Sequence, residues 1–203
     1  MRERLSRTEQ NERNRGLVLE AARNQFLAQG YHGATVDKIA EEAGFSKGVV
    51  YSQFASKADM FLALLEQRIA ERAAGNADLA SRMSGQHGVV ALIQKLAERQ
   101  TEERDWGLLL VEFRAHAARD PELSRRYAEA HQRTIDGLAL ILAGLYERAR
   151  LEPPFPVSEL AQVLLALGTG MQLEQATDPG AMAAPLRAKV LTRLSGDPER
   201  NQK

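Results

Sequence analysis

Apolar residues recur at three- and four-residue intervals along nearly the whole chain of 203 residues, and no stretch alternates with period two. The expected regular structure is therefore helical throughout. Ser6 and Glu9 make an S-x-x-E capping box opening a first helix with Val18, Ala21, Ala22 and Phe26 inward, and Gly30 supplies a left-handed stop. Thr35 is the N-cap of a second helix whose inner face is Ile39, Ala40 and Ala43, and Gly44 ends it. Ser46 caps a very short third helix reaching about Gln53, and Ser56 caps a fourth striped by Met60, Phe61, Leu64, Leu65 and Ile69.

Longer helices follow. Gly75, Gly85 and Gly88 punctuate residues 75–88, which read as a connection and as the domain boundary. Val90, Ile93, Leu96 and Ala97 predict one helix, and Asp105 caps another with Leu109, Leu110 and Phe113 inside. Asp120-Pro121 breaks that helix and starts a long one to about Arg150. Beyond the stiff Pro153, Pro154 and Pro156 comes a helix to Ala176. Asp178-Pro179-Gly180 then turns the chain into a last helix ending near Leu194, with a frayed tail after it.

Residues 35–54 thus run helix, tight glycine turn, helix, and the second helix is too short to be stable alone. Such a stub persists when neighbours hold one side and the other side is used, as in the helix-turn-helix arrangement that reads a major groove. Gly48 lets the backbone approach a duplex closely. The free N–H groups following Ser46 face a phosphate, Lys47 and Lys57 neutralise phosphates, and the Tyr51 hydroxyl reaches one. Val49 is placed to meet a thymine methyl, while Val50 and Phe54, four apart, anchor the helix inward. Each assignment has a plainer counterpart: Thr35 as a cap alone, Lys47 as a surface lysine, Gly48 as a tolerated glycine, Val49 as a minor core contact.

The run T-V-D-K-I-A-E-E-A-G-F-S-K-G-V-V-Y-S-Q-F-A-S-K resembles the signature of TetR-type transcriptional regulators, T-x-x-x-I-A-x-x-A-G-x-S-x-G-x-x-Y-x-x-F-x-x-K. Its fixed positions are filled by Thr35, Ile39, Ala40, Ala43, Gly44, Ser46, Gly48, Tyr51, Phe54 and Lys57. The upstream A-A-R-N-Q-F…G-Y is similar to that family's first helix, so the likeness spans roughly residues 14–65. Gln25 stands where such proteins have an apolar residue, Met60 replaces a leucine, and Gln53 takes a place often held by His or Tyr, from which it can still donate to the phosphate backbone. The resemblance implies an all-α fold: a three-helix DNA-binding domain over residues 1–56, a connecting helix over 57–74, and a helical ligand-binding and dimerisation domain over 75–203. It implies DNA contact by Thr35, Ser46, Lys47, Gly48, Val49, Tyr51, Gln53 and Lys57.

Charge gives no global attraction to nucleic acid, since 27 Lys and Arg balance 27 Asp and Glu. Any duplex must be held by a local surface; the first 23 residues hold six arginines against four glutamates. The absence of cysteine removes disulfides, thiolate metal sites and thiol switches. M-R-E-R-L-S-R-T-E-Q lacks the apolar run of a signal peptide, and no stretch of about 18 apolar residues occurs, so a cytoplasmic protein without membrane contact is expected. His32, His87, His116 and His131 lack metal-ligand spacing. No nucleophile–base order, phosphate loop or carboxylate pair stands out either. Neither an enzyme nor a cofactor is expected.

In the second half, residues 157–176 are apolar over more than one face, and the preceding helix mixes leucines with Gly137, Ala139 and Gly144. Two such helices from each of two subunits form a four-helix interface, with Ile135, Leu138, Leu142, Leu145, Leu164, Leu167 and Gly168 as candidates; an ordinary internal core is the alternative. Met83, Trp106, Leu109, Glu112, Phe113, His116, Met171 and Gln172 are candidate walls of a pocket for a mostly hydrophobic effector, although each also suits core or surface. The expected protein is a homodimeric repressor that an effector releases from operator DNA. An activator of the same fold, or a helical small-molecule binder or adaptor without DNA function, are the alternatives.

Overall fold

The computed structural model describes residues 6–83, 88–95, 104–178, 180–194 and 196, and all regular structure among them is helical. The helices are α1 (Arg7–Gly33), α2 (Val36–Ala43), α3 (Lys47–Gln53), α4 (Lys57–Ser81), α5 (residues 88–95), α6 (Arg104–Ala117), α7 (Pro121–Ala149), α8 (Val157–Thr177) and α9 (Ala184–Leu194). No helix among the described residues is long and apolar enough to cross a membrane. The expected helix through Leu96 and Ala97 is described only to residue 95, and Gly85, His87 and the tail from residue 197 lie outside the described residues.

Local capping chemistry sets most boundaries. The Ser6 hydroxyl accepts from Glu9 N–H at 3.2 Å while the Glu9 carboxylate accepts from Ser6 N–H at 2.7 Å, a reciprocal box that holds the Glu9 carboxyl below its ordinary pKa. Thr35 and Ser46 accept from Lys38 and Val49 N–H, and Gly44 closes α2 at φ 73°. Asp59 N–H donates to the Ser56 hydroxyl at 3.1 Å at the start of α4.

Gly30, at φ 71° and ψ 172°, breaks the helical conformation as expected, and one further turn follows to Gly33. Two expectations need correcting. Gly75 does not open a connection: α4 continues through it to Ser81. One glycine costs about 1 kcal/mol relative to alanine, which the alanines and leucines around it outweigh. Asp105 lies in the first turn of α6 rather than at its cap.

The chain divides into two compact units, one made of residues through Arg68 with Glu112–Tyr127, the other of Ile69–Val111 with the residues from Ala128 onward. In the first, Val18, Ala22, Phe26, Ile39, Val50, Met60, Phe61 and Phe113 are fully buried. Its centre is aromatic: Phe61 stacks on Phe113 with centroids 4.0 Å apart, and Tyr31 lies edge-on to both. In the second, Leu92 and Ile93 of α5 pack with Leu138, Leu142 and Leu145 of α7, Leu160 and Leu164 of α8, and Leu191 of α9.

A candidate nucleic-acid-binding helix and an internal cavity

α3 is held on one side and open on the other. Val50 and Phe54, four residues apart on its inner side, are buried, whereas Lys47, Gly48, Tyr51 and Ser52 are exposed. The Arg15 guanidinium of α1 lies 4.1 Å from the centroid of the Phe54 ring and donates to the Gln53 carbonyl at 2.9 Å. A cation thus covers one of the carbonyls left over at the end of this short helix. Gln53 also donates from its amide to Asn11 Oδ1 at 2.6 Å. α1 therefore clamps the C-terminal end of α3. Arg15 and Asn11 were missed in the sequence because helical spacing shows which face a residue takes but not what that face meets.

The outward side offers backbone and polar groups to a partner. A Cβ built on Gly48 would meet only the Ser46 hydroxyl, at 3.7 Å, so its surroundings are open toward solvent. Tyr51 is 53% exposed. Lys47 forms an ion pair with Asp37 of α2 at 2.5 Å, both side chains exposed, and Asp37 holds the Lys47 pKa above its ordinary value. Thr35 is exposed at the start of the same helix, while Val49 and Gln53 are half-buried.

Lys57 departs from its expected place at a phosphate. Its ammonium is half-buried and donates to the Tyr31 carbonyl at 2.6 Å and the Ala34 carbonyl at 2.9 Å, where α1 ends. Burial lowers its pKa. A cation here satisfies carbonyls that have no partner within α1, so Lys57 acts as a tie between α1 and the start of α4. Gln25, the polar residue in an apolar slot, also has a role: it and Asn24 donate to the Glu42 carboxylate at 2.6 and 2.8 Å, joining α1 to α2 and lowering the Glu42 pKa.

The expected pocket residues do not form one group. Glu112, Phe113 and His116 belong to the first unit. The Glu112 carboxylate accepts the Tyr31 N–H at 2.8 Å, Phe113 stacks in the aromatic core, and the His116 ring lies 5.0 Å from that of Tyr31. Trp106 and Leu109 are buried in the second unit, where Met83 packs against the core and Gln172 covers Gly107. The second unit instead holds a small cavity of about 70 Å³, open to solvent on one side. α4 lines it with Ile69, Arg72 and Asn76, α7 with Arg133, Gly137 and Ile141, and Met171 is the one expected residue on its wall.

The expected interface residues are also relocated. Ile135, Leu138, Leu142, Leu145 and Leu164 are buried within the single chain, Gly168 lines the cavity and Leu167 packs against the core. The apolar positions turned outward on α7 and α8 are Leu140, at 76% exposure, with Val163 and Leu173. α8 carries apolar residues on both its buried and its exposed sides, so periodicity did not choose between them there. Among the described residues no group of three or more His, Cys, Asp or Glu could hold a metal ion.

The family model for bacterial regulatory proteins of the tetR family matches residues 18–64, and that for the C-terminal part of BetI-type transcriptional repressors matches residues 86–195. The HTH-type transcriptional repressor AcnR of Corynebacterium efficiens is 31% identical over 144 residues, which are 70% of this chain and 71% of that protein. The HTH-type transcriptional activator FasR of Mycolicibacterium smegmatis is 46% identical over 55 residues, 27% of this chain and 25% of its own. Among solved structures, the transcriptional regulator FadR from Bacillus subtilis, in complex with stearoyl-CoA, superposes with a TM-score of 0.71. It is 18% identical, with 89% of this chain and 97% of the other covered.

Proposed function

The chain belongs to the tetR family of bacterial regulatory proteins, and from that premise we propose that this DNA-binding transcriptional regulator is a homodimeric repressor released from its operator by a small molecule. The observation that carries the reading is the two-sided construction of α3: Val50 and Phe54 buried, Lys47, Gly48 and Tyr51 exposed. A helix this short contributes little to stability by itself, and its outward groups suit a duplex groove. Thr35, Ser46, Lys47, Gly48, Val49 and Tyr51 supply the contacts. Gln53 ties α3 to α1, and Lys57 ties the end of α1 to the start of α4.

A pair of such helices must stand about 34–36 Å apart to enter successive major grooves on one side of a duplex. The outward stripe of Leu140, Val163 and Leu173 supplies the joint between copies. The effector sits in the cavity lined by Ile69, Arg72 and Asn76 of α4, the helix that follows α3 in the chain. Binding there shifts α4 and the spacing of the reading helices, and linkage requires DNA to weaken effector binding by the same factor, typically about 1–3 kcal/mol of coupling.

The similarity to the AcnR repressor extends beyond the DNA-binding part and favours repression. The activator FasR is matched over 55 residues, so activation by operator placement is the second reading. Titrating the purified dimer with duplex fragments from upstream of its own coding sequence tests the proposal. Salt-sensitive binding to one fragment, with reporter expression rising when the protein is deleted, is expected. Falling expression would establish the activator, and no fragment binding would overturn both.

A further inference from the structure

We propose that Ser52 is a base-reading residue of α3, its hydroxyl oxygen accepting from the amino group of an adenine or a cytosine in the major groove. This deepens the reading of α3 as the helix that enters the groove, and rests on it.

Successive residues of a helix are turned by about 100° from one another. Val50 and Phe54 are the buried anchors of α3, and Ser52 stands about 180° from the direction midway between them. Gly48, one turn earlier, lies within about 40° of Ser52. These two exposed residues form the ridge turned furthest from the core. Tyr51 and Lys47 lie to one side of it and half-buried Val49 to the other. The ridge is low: an added Cβ on Gly48 would meet only the Ser46 hydroxyl, at 3.7 Å, and Ser52 carries only Cβ and Oγ. A low ridge lets the backbone come close to a partner. Straight ahead of a helix lying in a groove are base edges, while the phosphates flank it.

The polarity of the contact follows from the helix itself. The Ser52 hydroxyl donates to the Val49 carbonyl at 2.7 Å. A hydroxyl has one proton, so what remains outward is an acceptor. On the major-groove edge the amino groups of adenine and cytosine donate, whereas thymine O4 and guanine O6 and N7 accept. A serine with a free proton suits either class; this one suits amino groups alone. Every base pair shows one amino and one keto group on this edge. The expected preference is therefore for adenine or cytosine over guanine or thymine, on one strand, at one position of each half-site. The plainer role, a serine bonded back to its own helix, carries no base preference.

The test is selection of binding sites from a synthetic duplex library with a randomised core, followed by sequencing, for the full chain as wild type, Ser52→Ala and Ser52→Thr. Wild type should take adenine or cytosine over guanine or thymine at one position in each half of the site. Ser52 is exposed and alanine is a strong helix former, so Ser52→Ala should fold. It should lose about two- to tenfold of that preference, the range for one hydrogen bond between uncharged groups, with the other positions unchanged. Threonine, whose hydroxyl also bonds a carbonyl of the preceding turn, should retain it. An unchanged profile in Ser52→Ala, an equal loss in Ser52→Thr, or a wild-type choice of guanine or thymine at the affected position would overturn the proposal. An unchanged Ser52→Ala profile alongside weakened binding in Lys47→Ala and Tyr51→Ala would remove Ser52 and leave α3 in the groove. Selection of no sequence by wild type would remove both.

Discussion

The Lys57 ammonium donates to the Tyr31 carbonyl at 2.6 Å and lies 4.6 Å from the centroid of the Tyr31 ring, so one side chain closes the end of α1 and starts α4. Burial pushes the Tyr31 hydroxyl up to about 12, with the Asp59 charge adding to it, and the ring stays neutral beneath the cation. Lys57→Met removes the donor and leaves the carbonyls of Tyr31 and Ala34 without it. The expected loss is about 1.5–3 kcal/mol of unfolding free energy, the range for hydrogen bonds to charged groups, measured by denaturant titration. Because the role is internal, operator binding by the folded variant should keep the wild-type salt dependence; a slope lowered as in Lys47→Ala would instead place Lys57 on a phosphate.

Gly30 makes the kink that brings Tyr31 N–H to Glu112. Its φ of 71° is left-handed, and an added Cβ would stand 2.7 Å from Glu112 Oε2. Gly30→Ala should therefore destabilise the first unit by about 1–2 kcal/mol from backbone handedness alone. Displacement of the Glu112 carboxylate adds to that. Glu112→Ala removes the clash but also the acceptor of Tyr31 N–H, so the double variant should be no more stable than Gly30→Ala. A stability equal to wild type in Gly30→Ala, read from thermal unfolding, would contradict this geometry.

Acid should weaken the first unit through Asp59. Burial would raise this carboxyl, but hydrogen bonds from Ser56 and from Arg126, the latter at 2.7 Å, together with the Arg126 charge, hold it below its ordinary value of 3.8. A folded-state pKa below the unfolded one contributes stability above the unfolded value and loses it as pH falls through the folded value. Between neutrality and the ordinary value this contribution is constant; below 3.8 it declines. Asp59→Asn should be less stable than wild type at neutral pH, and the gap should narrow in acid. A gap that does not change with pH would remove the ionic role.

Leu140 and Leu142 distinguish the proposed joint from the core. Leu142 is fully buried and Leu140 is 76% exposed. Leu140→Glu should yield a folded monomer in sedimentation equilibrium, whereas Leu142→Ala should keep the dimer's surface but lose about 2–5 kcal/mol of stability to the cavity it leaves. A dimeric Leu140→Glu would move the interface elsewhere.

Helices, caps and the α2–α3 turn were legible because they depend on neighbours three or four residues apart: Ser6 with Glu9, Thr35 with Lys38, Gly44 at the turn. The outward positions of α3 were legible for the same reason, through Val50 and Phe54. Long-range choices were not. Glu112, Phe113 and His116 have helical spacing suited to a pocket wall, yet the chain places them against Tyr31 and Phe61. Lys57 reads as a surface cation until the end of α1 arrives beside it. Leu140 and Leu142 sit on opposed faces of one helix, both apolar, and only packing shows which is inside. Arg72 and Arg133 carry no local sign that a cavity lies between their helices.

The exposed side of α3 is the surface proposed to grip duplex DNA. Lys47 is paired with Asp37 at 2.5 Å, so a phosphate must compete with a carboxylate for the same ammonium. The most direct test is the salt dependence of binding to the upstream fragment by fluorescence anisotropy, for wild type, Lys47→Ala, Tyr51→Ala and Asp37→Asn. Weaker binding is expected for Lys47→Ala and Tyr51→Ala with folding unchanged, with a salt slope reduced by about 1 per lost Lys47 contact, and tighter binding for Asp37→Asn. Unaltered affinity and slope in both Lys47→Ala and Tyr51→Ala would contradict it.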